Sequence, residues 1–240
     1  MTVDAKPAPA QAGSGHVITF ASIKGGVGKT TGLLALASDL AMSGARAAIL
    51  DADPNGHASR IGGKIAKKLT GGALSIVGGL TEKTILREIK TARAAADFVL
   101  VDLPGVASQL TLLGLARSDL VVIPLQASDM DISDALVTVE HATQASEAAE
   151  RDIRVCFLLS RWPVTIETRA AKETRRRLAK KAPGVPVLET PMMERTVLKE
   201  MTFNGQPPAL IEPDGNAAAN VAAVRAELLS LLGRSVEVAS

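Results

Sequence analysis

The chain has 240 residues, 47 % of them apolar, and a formal net charge of +2. This apolar content suffices for one sizeable core, while the near-neutral balance excludes binding nucleic acid through bulk charge, so any such surface must be local. A single cysteine, Cys156, excludes a disulfide framework and fits a reducing compartment.

Residues 1–15, "MTVDAKPAPAQAGSG", lack the apolar stretch of a secretory signal and read as a disordered lead-in. No apolar run approaches the roughly 20 residues that a membrane span requires, so a cytoplasmic protein is expected. The first strand is expected at 16–22, "HVITFAS", followed by a Gly-rich loop. A helix is expected over 29–44, where apolar residues recur at helical spacing up to a Gly stop. A second strand, 45–53, ends in two carboxylates. A polar, Gly-rich stretch follows, with a minor strand within 70–79. Further strands are expected at 97–105, 118–125, 151–160 and 184–190, and helices at 81–96, 132–150, 166–181, 194–203 and 216–233. Cys156 lies in one of these strands as a core thiol.

Strands that are continuously apolar rather than alternating belong to a sheet covered on both faces. With helices between them, they predict an α/β fold with a doubly wound, mostly parallel sheet, built as one domain over 16–240. Ligands of such sheets bind beyond the carboxyl ends of the strands.

The run "SIKGGVGKTT" stands at the first of these ends. Gly25, Gly26 and Gly28 let the backbone turn sharply, and the N–H groups of the loop and of the helix start converge on one point that favours an anion. Val27, between Gly26 and Gly28, is expected to bind the nucleotide as part of the same loop. Lys29 is placed to reach β- and γ-phosphates, the Thr30 hydroxyl to bind Mg²⁺, and Thr31 to extend the cradle. The ordinary G-x-x-x-x-G-K-[ST] loop needs glycine at position 23, where this chain has Ile23, and Lys24 follows it. Asp51 and Asp53 end the second strand on one side of an extended chain. "DPNG" also suits a turn, so Asp53 reads either as a turn former or as a group facing the site. Asp102 follows four apolar residues and is placed to hold Mg²⁺ through its water shell.

With "KGGVGKTT", D-x-D-P at 51–54 and the strand-end Asp102, the chain resembles the ParA/MinD class of ATPases with a deviant phosphate loop. It is similar above all to the smaller ParA-type members, the VirC-type proteins among them. The resemblance implies ATP and Mg²⁺ as cofactors and an ATP-dependent sandwich homodimer. It implies that Lys24 crosses the dimer interface to phosphates on the other subunit and that Asp53 orients the attacking water. Asp51 then sits near the Mg²⁺ shell or the switch backbone. The residue after Pro54 is often Gln in that class and is Asn55 here. The adenine site is implied at "LLSRWPV" and "ETPMMER", through Arg161, Pro191 and Met192. Ser160, Arg161 and Trp162 stand where relatives commonly carry Asn. Trp162 either stacks on the base or packs.

Asp131 and Ser133 read as helix caps. His16, His57 and His141 have no ligand spacing, so no zinc or iron site is expected. The segment "RAAKETRRRLAKK" carries seven cations and one acid, Glu173. Arg169, Lys172, Arg175, Arg176 and Lys180 are therefore expected to meet DNA phosphates without reading sequence. The function implied is an ATPase that positions or partitions a cargo on the nucleoid, stimulated by a ParB-like or adaptor partner. A membrane-cycling regulator of the MinD type is the alternative. The weakly charged C-terminal stretch disfavours it.

Overall fold

In the computed structural model, residues 15–163 and 169–233 are described. The expected lead-in, the first turn of the helix at 166 and the last residues, 234–240, lie outside them. Six strands, β1 (His16–Phe20), β2 (Ala47–Asp51), β3 (Leu74–Val77), β4 (Phe98–Asp102), β5 (Leu120–Leu125) and β6 (Arg154–Leu159), form one sheet in the order β3-β2-β4-β1-β5-β6. Every pairing is parallel. The four inner strands are apolar on both sides because both faces are covered.

On one face, α1 (Lys29–Met42), α2 (His57–Ala66), α7 (Thr196–Asn204) and α9 (Asn216–Leu231) bury residues such as Leu36, Ile61, Met201 and Val224. On the other, α3 (Ile85–Ala95), α4 (Gln109–Leu115), α5 (Asp129–Ala148) and α6 (Arg169–Lys181) bury Ile89, Leu115, Ile132 and Leu178. A short α8 (Pro208–Ile211) joins α7 to α9.

The structure corrects several expectations. The polar stretch after β2 contains α2, masked in the sequence by Gly62 and Gly63. Ala58, Ile61 and Ile65 give it a buried face, and a Cβ at position 62 would come within 3.2 Å of Ile49 and Ile76, so the glycine permits close seating on the sheet. The short α4 was hidden among turn formers; Ser108 caps it by accepting from the Thr111 N–H. The strand expected at 184–190 is reduced to a bridge at Val187, with bonds to Phe157 on either side of it. Pro186 lacks an N–H and Pro191 follows shortly, so no longer ladder forms.

Register brings the site together. Asp51 pairs with Asp102 across β2 and β4, and Phe20 pairs with Asp102 across β1 and β4. The carboxylates and the loop after β1 therefore share one end of the sheet.

Candidate functional site

The loop between β1 and α1 turns through Gly26 and Gly28, at φ 79° and 87°, in the left-handed region that glycine enters without cost. Gly28 precedes α1 without offering a side-chain cap, so the first N–H groups of the helix are left for a ligand. The Ser160 hydroxyl donates to the Val27 carbonyl at 2.5 Å and ties the loop to the end of β6.

Lys29 is 8 % exposed, and its ammonium donates to Asp102 Oδ1 and to the Leu103 carbonyl, both at 2.5 Å. The Thr30 hydroxyl donates to Asp102 Oδ2 at 2.8 Å. Asp102 is fully buried. Its burial pushes the carboxyl above its ordinary range, and Lys29 and Thr30 offset this only in part. An ammonium, a hydroxyl and a buried carboxylate beside an uncapped helix start suit a phosphate with its magnesium ion.

Lys24 is bound differently. Its ammonium meets the carboxylate of Asp131 in its own chain, at the start of α5. Asp131 also accepts from the Gln126 N–H and the Ser128 hydroxyl, each at 2.8 Å. Burial would raise this carboxyl, but the Lys24, Gln126 and Ser128 donors outweigh it and hold it below its usual range. The bond to Asp131 in turn raises the Lys24 ammonium. The cap of α5 is Ser128, which accepts from the Asp131 N–H, so Asp131 and Ser133 are not the caps expected. Asp131 is a buried counterion, and Ser133 bonds back to the Asp129 carbonyl.

Asp51 is fully buried and spends both oxygens on backbone, accepting from Asp53 N at 3.1 Å and Ser59 N at 2.6 Å. It thereby holds the turn that starts α2. Asp53 accepts from Asn55 at 2.9 Å and lines the cavity, so it is at once turn former and site residue.

The cavity, about 670 Å³, runs from the loop to α7. Lys24, Gly25, Gly26, Gly28, Lys29, Thr30 and Thr31 floor one end; Ser160, Arg161 and the 192–195 backbone wall the other. Arg161 adopts φ 51°, a conformation that non-glycine residues rarely take, and its guanidinium donates to the Gly26 carbonyl at 3.3 Å and to Glu194 at 3.2 Å. Pro191 does not line the cavity. Its carbonyl accepts from Asn220 in α9, while Met192 and Met193 take the wall. Trp162 is 5 % exposed within the core, which decides for packing over stacking. Glu194, Lys199 and Phe203 were missed. The helical spacing of 194–203 was legible, but nothing local tells that this helix closes a cavity.

The basic helix is less uniformly available than its composition implies. Arg175 donates to the Leu188 and Glu189 carbonyls, each at 2.9 Å, so it braces the bridge segment instead of joining an outward cation face. Arg176 and Arg177 both pair with Glu173, holding its carboxyl down to about 2, and Arg177 also meets Asp129. Arg169, Lys172 and Lys180 are exposed.

The family described as VirC1 protein matches residues 15–219. The chain is similar to protein virC1 of Rhizobium radiobacter, with 30 % identity over 192 residues, 79 % of this chain and 81 % of that protein. It is similar to protein ParA of the same organism, with 29 % identity over 224 residues, 92 % of this chain and 98 % of that one. A solved complex of Cyanothece McdA with ATP has the same fold, with a TM-score of 0.74 at 16 % identity over 93 % of this chain and 98 % of that one.

Proposed function

The chain belongs to the VirC1 family of ParA/MinD-type P-loop ATPases, and we propose that it hydrolyses ATP to gate its own dimerisation and non-specific DNA binding, so positioning a cargo. The observation that carries this reading is the pair of ammonium groups at one phosphate loop, each held on a carboxylate of its own chain: Lys29 on Asp102 and Lys24 on Asp131. An incoming triphosphate competes with both carboxylates.

In this reading Lys29 passes from Asp102 to the phosphates, freeing Asp102 and the Thr30 hydroxyl to hold Mg²⁺. Mg²⁺ held by Thr30 and Asp102 would supply neutralisation of charge on the phosphoryl oxygens. Lys24 leaves Asp131 and contacts the phosphates bound by a second copy, placing positive charge where negative charge develops in the transition state. Asp53, already on the cavity wall, orients the attacking water. Asp51 keeps the turn carrying Asp53 in place. A partner protein that stimulates hydrolysis then releases the dimer.

The test is retention of the full chain on a non-specific DNA duplex with ATP, with ADP and without nucleotide. Retention confined to ATP is expected. Equal retention in all three states rejects the gate.

A further inference from the structure

The sequence directs attention to α6, yet a second run of exposed cations lies on α2 and the turn that follows it. Arg60, Lys64, Lys67 and Lys68 are all exposed. No Asp or Glu occurs in the sequence from Pro54 to Thr81. Among the described residues, the only side-chain bonds these four make are Arg60 to the His57 ring and Lys64 to the Phe203 carbonyl.

Helix stability does not account for this face. Lys64 with Arg60 is a like-charge pair at i, i+4, which destabilises a helix by about 0.2–0.5 kcal/mol, and Lys67 and Lys68 add two cations just past the helix end. Arg60 also sits in the first turn, where the helix dipole disfavours a cation. Lys64, in the last turn, suits the helix dipole, but nothing in the helix balances Arg60, and an external anion would offset that cost.

We propose that this face of α2 docks on the phosphate backbone of duplex DNA, as a second contact beyond α6. This rests on the reading of the protein as a nucleotide-gated DNA binder. The densely repeating charge of the duplex offers phosphates to each of these exposed cations. Its cations are expected to meet backbone phosphates, contacts that position the protein without reading sequence. Its link to the gate is direct: the first turn of α2 hangs on Asp51 through the Ser59 N–H, and Asp53 shapes the turn before it. A rearrangement at these carboxylates shifts the basic face with them. The α2 face lies at the β3 edge and α6 at the β6 edge, on opposite faces of the sheet and about 24 Å apart in strand spacing. Their contributions are therefore separable.

The experiment measures affinity of the full chain with Mg²⁺ and ATP for a non-specific duplex across a salt series. It compares wild type with Arg60→Gln/Lys67→Gln/Lys68→Gln and with Lys83→Gln/Arg87→Gln/Lys90→Gln, which removes equal charge from around α3. The α2 variant is expected to bind at least about tenfold more weakly, with a salt slope shallower by about 2–3, near 0.9 per lost contact. Basal hydrolysis should be unchanged. Should the triple variant fold poorly, Lys67→Gln and Lys68→Gln taken singly should each flatten the slope by about 1. Wild-type affinity and slope in the α2 variants overturn the proposal and leave the gated reading intact. An equal loss in the α3 variant also overturns it, as an effect of net charge. Absence of DNA binding by wild type in every nucleotide state overturns the reading and the proposal together.

Discussion

The two lysines of the phosphate loop are held by two carboxylates in contrasting settings. Lys29 and Asp102 are 9 % and 0 % exposed at their side chains, whereas Lys24 is 34 % exposed over a buried Asp131. The carboxyls respond in opposite directions. Burial wins at Asp102 and raises it; the donors win at Asp131 and lower it. The first pair is therefore a charge pair held in the core at a desolvation cost. The second is a reversible tether whose lysine is already part-way into solvent.

The largest effect that sharpens this contrast is expected from Lys29→Ala. Removing one partner of a buried pair costs about 3 kcal/mol or more, read as a lower urea midpoint, together with loss of ATP hydrolysis. Asp102→Asn should cost less stability than Lys29→Ala, because the amide oxygen still accepts from Lys29 and burial disfavours the charged carboxylate, and yet should also lose hydrolysis. An Asp102→Asn loss as large as that of Lys29→Ala would break the contrast.

A smaller effect is expected from Asp131→Asn, about 1 kcal/mol at neutral pH, as for an ion pair whose lysine is part-exposed and screened by solvent. Its pH dependence carries the sign. A carboxyl lowered in the folded state contributes stability above its unfolded value and loses it as pH falls through the folded one. The gap between wild type and Asp131→Asn in urea denaturation should thus close below the ordinary carboxylate range. A gap that widens with acid would contradict the tether.

The smallest change in stability is expected from Lys24→Ala, since Asp131 keeps its bonds from Gln126 and Ser128. This variant should nevertheless lose ATP-dependent dimerisation, measured by analytical ultracentrifugation, and the hydrolysis that depends on it. An unchanged ATP dimer with normal turnover would remove Lys24 from the site.

Much of this arrangement is legible residue by residue. "GGVGKTT" after an apolar strand announces a phosphate cradle because glycine, lysine and threonine each have a definite part in one. The inner strands announce a sheet covered on both faces. The helix α2 was not legible, since Gly62 and Gly63 look like loop residues until Ile49 and Ile76 are known to lie against position 62. Arg175 could not be told from its neighbours, because composition counts charges and does not show which side chain turns back to a carbonyl.

The sequence by itself determined the order of strands, loop and carboxylates, and hence the chemistry at the carboxyl end of the sheet, because periodicity and turn-forming residues act over a few positions. Only the tertiary structure decided which charges meet. Lys24 finds Asp131 across more than a hundred residues, Asp51 faces Asp102 across a ladder, and α6 spends several cations internally while α2 leaves its own exposed. Ion pairing depends on distance in space and on burial, and neither is written in the spacing along a chain.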